Sequence, residues 1–203
     1  MAFSFFFRDP SVIDYAAEYL VRFASGRMKV KVWDAGCAMG QETYTLAIAL
    51  ADKMGQFAFR NLKIDATDYD SANHFGDAVE KAEYHFNELK RIPEDALRKY
   101  FEPADEQNFF RVISKLREQV FFRYHDLLSF EPVGMAYSLI VCKNVLLHFS
   151  YEQRIKVIKM FHRALLPGGF MTTEQTQKIP KEVEHLFKLV VHDSQLFMKI
   201  EGN

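Results

Sequence analysis

Apolar residues recur at helical spacing over residues 11–24, where Ile13, Ala16, Ala17, Leu20, Val21 and Phe23 share one face. Pro10 suits the first turn of that helix, Asp9 its N-cap and Ser25-Gly26 its end. The rhythm then changes. Val30, Val32 and Trp33 are β-favouring and stop at Asp34-Ala35-Gly36, with Gly40 close behind. From Glu42 the pattern is helical again, with Leu46, Ile48, Ala49 and Leu50, out to about Met54-Gly55. Residues 62–67, LKIDAT, alternate toward a second strand that ends at Asp68-Tyr69-Asp70. Asp70 and Ser71 are placed to cap a helix beginning near Ala72.

Residues 84–126 are less regular. Pro93-Glu94-Asp95 opens a short helix to about Tyr100, and a polar loop, 102–108, follows. Residues 109–113 and 120–124 are β-type runs, read as a small antiparallel excursion that re-enters the main sheet at Phe121. Residues 137–142, YSLIVC, form a near-continuous apolar run, as expected of a parallel strand buried on both faces. Lys143, Asn144 and Val145 stand at its end. Ser150 and Gln153 make a capping box for a helix over 151–166 that Pro167-Gly168-Gly169 should stop. On that helix Ile155, Ile158, Phe161 and Leu165 face inward, and Arg154, Lys156, Lys159 and Arg163 form a solvated face. Residues 170–173 continue as a strand, and 186–191 with 195–200 close the chain as a hairpin. Strands alternating with helices predict a doubly wound α/β sheet with a terminal antiparallel pair.

The glycine turn at 36–40 narrows the chemistry. A strand that turns on glycines into a helix exposes backbone N–H groups above the sheet, where nucleotide-like cofactors bind. Residues 36–41, GCAMGQ, fit neither the dinucleotide pattern G-x-G-x-x-G nor the P-loop, whose lysine is replaced by Gln41. What remains is a glycine loop preceded by Asp34 and followed by Glu42. Those acids would repel pyrophosphate but suit a ligand carrying an amine and ribose hydroxyls, such as S-adenosyl-L-methionine. The alternative is a turn whose glycines only permit close packing. Asp68, ending the next strand, is placed to grip a ribose diol. Asp126, just past residues 120–124, could meet an adenine amino group or simply form a turn.

Composition excludes several classes. With 203 residues, 49% hydrophobic and 26% charged, the chain suits one domain with a full core. A net charge of −1 gives no field that favours nucleic acid or an anionic membrane. The cysteines, Cys37 and Cys142, build no disulfide framework, which favours a reducing, cytoplasmic setting. The opening MAFSFFFRDP has no basic n-region, and no stretch approaches a membrane span. Histidines and cysteines show no zinc-ligand spacing, so no metal site is expected.

Seven blocks resemble the chemotaxis-receptor glutamate methyltransferases, the CheR family: SFFFRD (4–9), VWDAGCAMGQETYTLA (32–47), ATDYD (66–70), EYHFNELKRIPEDALRKYF (83–101), HDLL (125–128), LIVCKNVLLHFS (139–150) and LLPGG (165–169). They keep the family's order over nearly the whole chain. The resemblance implies a class I S-adenosylmethionine-dependent methyltransferase with a Rossmann-like mixed sheet and a small antiparallel β excursion. It implies one methyltransferase domain over 1–203, with a small β subdomain at about 99–124 and without the family's N-terminal helical domain. A protein glutamate on a chemoreceptor or other signalling protein would be the acceptor, and S-adenosyl-L-homocysteine the product.

The resemblance also implies roles. Ser4 and Arg8 would approach the methionine end of the cofactor, with Arg8 nearest the acceptor carboxylate. Ala35, Gly36 and Glu42 match the cofactor loop, Glu42 reading the amino acid portion. Asp68 matches the ribose ligand, Tyr69 lies against the adenine, Asp126 and Leu127 match the adenine pocket, and Asn144 and Val145 lie beneath the sulfonium. The chain departs from the family at Lys143, where the family has Arg, at His148, where it has Tyr, and after Gly169. The loop at 102–108 is acidic and glycine-free, unlike the one used for tethering to a receptor tail. Arg8 is the candidate to steer a carboxylate, which is already ionised and needs no base. His148 could donate a hydrogen bond or act as base toward a neutral acceptor. Methylation of another acceptor, and a non-catalytic module that binds the cofactor or its product, are the rival readings.

Overall fold

In the computed structural model, which describes residues 4–70, 74–174, 176 and 178–201, the central strands bury both of their faces. The chain runs α1 (Pro10–Ala24), β1 (Val30–Ala35), α2 (Gln41–Phe59), β2 (Leu62–Asp68), α3 (His74–Lys81) and β3 (Glu83–His85). It continues through α4 (Glu94–Tyr100), β4 (Phe101–Pro103), β5 (Phe109–Val112), α5 (Ser114–Arg117), β6 (Val120–Tyr124) and β7 (Tyr137–Val141). Last come α6 (Tyr151–Ala164), β8 (Leu165–Thr172), α7 (Lys181–Glu184), β9 (Phe187–Val191) and β10 (Leu196–Lys199).

The main sheet has seven strands in the order β6-β2-β1-β7-β8-β10-β9. β6, β2, β1, β7 and β8 run parallel, and β10 and β9 add an antiparallel edge. Alternation explains the apolar runs. Val32, Ile64, Leu139 and Val141 join Leu20 of α1 and Leu46 and Leu50 of α2 in one core. Trp33, Ala35, Ile140 and Cys142 join Val157, Ile158 and Phe161 of α6 in the other. Because β1, β2 and β7 are parallel neighbours, Ala35, Asp68 and Val141 all end at one sheet edge. Among the described residues no helix is long and apolar enough to cross a membrane.

Several local expectations differ. Asp9 precedes α1 in a left-handed conformation (φ 49°) and makes no side-chain cap. Helix α2 continues past Gly55, which breaks its geometry at φ 72°, ψ 164°. Helix α6 ends at Ala164, so Leu165, expected on its inner face, opens β8 instead and pairs with Tyr137. Pro167-Gly168-Gly169 therefore sits inside a strand, at the irregularity where β7 and β8 shift register. A Cβ on Gly169 would lie 3.1 Å from the Tyr137 carbonyl and 3.2 Å from that of Ser138, so glycine lets the strand hug its neighbour. The small antiparallel sheet, β3-β5-β4, takes one strand from Glu83–His85, ahead of the expected excursion. Val120–Tyr124 lies beside β2 in the main sheet, the point of re-entry the sequence suggested.

Asp70 is a cap. Its carboxylate accepts the backbone N–H groups of His74 (3.0 Å), Phe75 (2.6 Å) and Gly76 (3.0 Å) at the start of α3. Ser71 and Ala72 lie outside the described residues. Burial alone would raise the Asp70 carboxyl, but the three donors outweigh it and the net shift is downward. A carboxyl held below its unfolded value contributes stability that is fully present above the unfolded value and fades as pH falls through the folded one. Asp70→Ala should therefore cost about 1–2 kcal/mol in urea unfolding at pH 7. The deficit should narrow below about pH 4; a deficit independent of pH would contradict the capping role.

Candidate functional site

The glycine loop uses its amides internally. Gly36, at φ 98°, and Cys37 both donate N–H to the Thr67 carbonyl of β2, at 2.8 and 3.0 Å. Ala38 N–H goes to Asp68 Oδ2 at 2.8 Å and Gly40 N–H to the Cys37 carbonyl at 2.9 Å. The N–H groups expected to stand open above the sheet are thus committed to the fold at these positions. Thr67 and Asp68 take over the donors because β2 ends beside the loop. Asp68 Oδ1 also accepts the N–H of Tyr69 at 2.7 Å. Burial raises the Asp68 carboxyl, and the two N–H donors only partly offset that.

Two hollows adjoin above this edge. One is walled by Ser4, Arg8, Ala38, Glu42, Lys143, Asn144 and Leu147, the other by Tyr69, His125, Asp126, Leu127, Leu128 and Phe149. Gly36, Asp68, Val145 and His148 line both. Gly36 is the hinge of this arrangement. A Cβ built there would lie 2.2 Å from Val145 Cγ2, so only glycine lets the loops after β1 and β7 close on each other. Asn144, at φ 59°, is in the left-handed region that Asn tolerates, and it turns the chain from β7 toward Val145.

A buried ion pair braces the wall. The Lys143 side chain is fully buried; its Nζ donates to the Arg8 carbonyl at 2.9 Å and lies 3.2 Å from Glu42 Oε2 and 4.0 Å from Asp9 Oδ2. Burial raises the Glu42 carboxyl, and the Lys143 charge pulls part of that shift back. Lys143 thereby ties the segment carrying Arg8 to the first turn of α2. Arg8 itself stacks over the Phe5 ring, 5.4 Å from its centroid.

Of the residues expected at a cofactor site, Ser4, Arg8, Gly36, Glu42, Asp68, Tyr69, Asp126, Leu127, Asn144, Val145 and His148 line the paired hollows. Asp34 and Ala35 do not line them; both are buried in β1. Asp34 accepts the Thr43 hydroxyl, and burial, reinforced by the Glu42 charge, pushes its carboxyl well up. An acid pushed that way is disfavoured as an anion. Asp126 does two things, since it lines the second hollow while its Oδ1 accepts Leu128 N–H at 2.8 Å to cap a turn. Ala38, Leu147, His125, Leu128 and Phe149 also line the hollows; they fall in the blocks that carry the resemblance, but no role was assigned to them. The ion pair of Lys143 has a signal in the sequence: a lysine placed directly after a largely apolar, buried central strand needs a buried partner.

Removing one partner of such a pair strands the other. Lys143→Met should destabilise the fold by about 3–5 kcal/mol in denaturant unfolding. Adding Glu42→Gln to it should recover much of that loss. A double variant no more stable than the single one would contradict the pairing.

The sequence matches the family model described as CheR methyltransferase, SAM binding domain, over residues 2–195. A chemotaxis protein methyltransferase of Listeria innocua is 28% identical over 181 residues, covering 87% of this chain and 65% of the relative. One from Escherichia coli K12 is 29% identical over 172 residues, covering 82% and 57%. An uncharacterized 104.1 kDa protein of Rhodobacter capsulatus is 31% identical over 174 residues, covering 82% of this chain but 17% of that one. The chain therefore spans only part of the length of these relatives. Among solved structures, magnesium protoporphyrin IX methyltransferase from Synechocystis with bound SAM superposes at TM-score 0.52 and 18% identity, covering 96% of this chain and 80% of that one. TrmN from Thermus thermophilus superposes at TM-score 0.53 and 15% identity, covering 96% and 53%. These share the fold. With a family match over almost its full length, this chain belongs to the CheR methyltransferases, in the part of that family that binds S-adenosylmethionine.

Proposed function

We propose that this chain methylates the side-chain carboxylate of a glutamate on a chemoreceptor or other signalling protein, using S-adenosyl-L-methionine. The observation that carries the reading is the pair of hollows meeting at Gly36, Asp68, Val145 and His148. The residues fit the cofactor. One lobe offers carboxylates, Glu42 and Asp68, to an α-amino group and ribose hydroxyls. The other offers Tyr69, Leu127 and Phe149 as apolar walls for a base, with Asp126 at its edge for an exocyclic amine. The glycine at 36 leaves room where a side chain would fill the space between them.

In this reading Ser4 and Arg8 close over the aminoacyl end, and Asn144 and Val145 form the floor. When bound, the cofactor supplies an electrophilic methyl on its sulfonium. The chain's own residues align the acceptor and exclude water, and no base is needed because a glutamate carboxylate is ionised at neutral pH. Arg8 presents a planar fork to that carboxylate. The position of His148 in both lobes favours a second reading, a neutral acceptor whose proton His148 takes.

Titration calorimetry should show binding of S-adenosylmethionine and of its demethylated product, weakened at least about tenfold by Asp68→Ala. Unchanged affinity would remove Asp68 from the site. The acceptor class separates by chemistry: a methyl mark on a carboxylate should be released as methanol in mild alkali. An alkali-stable mark would favour the second reading, and tight binding with no transfer to any protein fraction would favour a non-catalytic module.

A further inference from the structure

Glu174 lies just beyond β8 and only 4% of its surface is exposed. A carboxylate so buried is costly unless it holds something. Its Oε2 accepts the backbone N–H of Asn144 at 2.9 Å, and among the described residues Oε1 has no hydrogen-bond partner. The place of that bond explains its use. The ladder between β7 and β8 ends where Cys142 N–H meets the Thr172 carbonyl at 3.0 Å. Two residues on, the chain turns left-handed at Asn144 and its N–H leaves the reach of β8's carbonyls. The Glu174 side chain supplies the missing acceptor.

We infer that Glu174 is a positioning residue that fixes the floor of the methyl-transfer site. The chain of contacts is short. Glu174 holds Asn144 N–H, Asn144 turns the backbone into Val145, and Val145 packs on the bare Cα of Gly36 where the two lobes meet. Without this bond the left-handed turn at Asn144 keeps only its intrinsic preference, and the floor can move. Neither the sequence pattern nor the resemblance assigned Glu174 a role; it stands in the stretch after Gly169 where this chain departs from the CheR pattern. The inference rests on the reading that these hollows take S-adenosylmethionine.

The test compares Glu174→Met, which keeps volume but removes the acceptor, with Glu174→Gln, which keeps an acceptor oxygen. S-adenosylhomocysteine affinity is measured by calorimetry, and the Asn144 amide proton is followed by NMR. The Met variant should bind about tenfold or more weakly and move the Asn144 amide proton upfield, as expected when its hydrogen-bond acceptor is lost. The Gln variant should bind within about threefold of the parent, since the acceptor survives. A Met variant that binds like the parent, or a Gln variant as weak as Met, would overturn the inference. If Glu174→Met does not fold, a Glu174→Gln variant that binds about tenfold or more weakly than the parent still overturns the inference. If the parent binds no S-adenosylhomocysteine, the cofactor reading fails instead, while the amide shift still reports whether the Glu174–Asn144 bond exists.

Discussion

The contact between Gly36 and Val145 is the constraint on which the site depends. Parallel pairing brings the ends of β1 and β7 side by side, but pairing alone would leave two separate loops. They close because one has no Cβ; any side chain at Gly36 would meet Val145 at 2.2 Å and force the loops apart. The closed pair then forms the shared wall of two hollows rather than a ridge between them. Everything assigned to binding stands on this approach of the Val145 side chain to the bare Cα of Gly36.

Around that contact, the fold spends its hydrogen-bonding groups on rigidity. The loop amides at 36, 37 and 38 are consumed by Thr67 and Asp68, so β2 splints the loop after β1. The Lys143–Glu42 pair and the Glu174–Asn144 bond do the same for the loop after β7. Buried polar groups are expensive unless partnered; Lys143 Nζ finds Glu42 and the Arg8 carbonyl, and Glu174 finds the N–H left over at the turn of Asn144. Carboxylates facing the hollow thus have a double duty, bracing the chain and offering acceptor oxygens. This differs from a phosphate site, where open amides themselves are the ligands. It suits a ligand that brings donors of its own.

The sequence made the architecture legible wherever period and burial agreed. Val30 to Ala35 and Tyr137 to Val141 read as buried strands because both faces are covered by helices, and the capping box at Ser150 appears in the structure with both of its hydrogen bonds. It misled where local chemistry was overridden by pairing. Pro167-Gly168-Gly169 looks like a helix stop, yet the helix has already ended and the glycines serve the close approach of β8 to β7. Asp34 reads as the acid that precedes the glycine loop and Asp68 as the acid that ends the next strand. Asp34 pairs with Ala66, so the two acids share a face; Asp34 is buried within β1, while Asp68, two residues farther along at the end of β2, reaches the hollows. Lys143 and Glu174 were hidden for another reason, since their partners lie 101 and 30 residues away and only the folded sheet brings them together.

The account as a whole stands on the two hollows forming one nucleoside site. A crystal structure of the chain grown with S-adenosylhomocysteine tests that most directly. The account predicts the adenine beside Leu127 and Asp126, the ribose hydroxyls on Asp68 and the amino group at Glu42, with the sulfur above Asn144 and Val145. Density for the ligand elsewhere, or none in the hollows at saturating concentration, would contradict it.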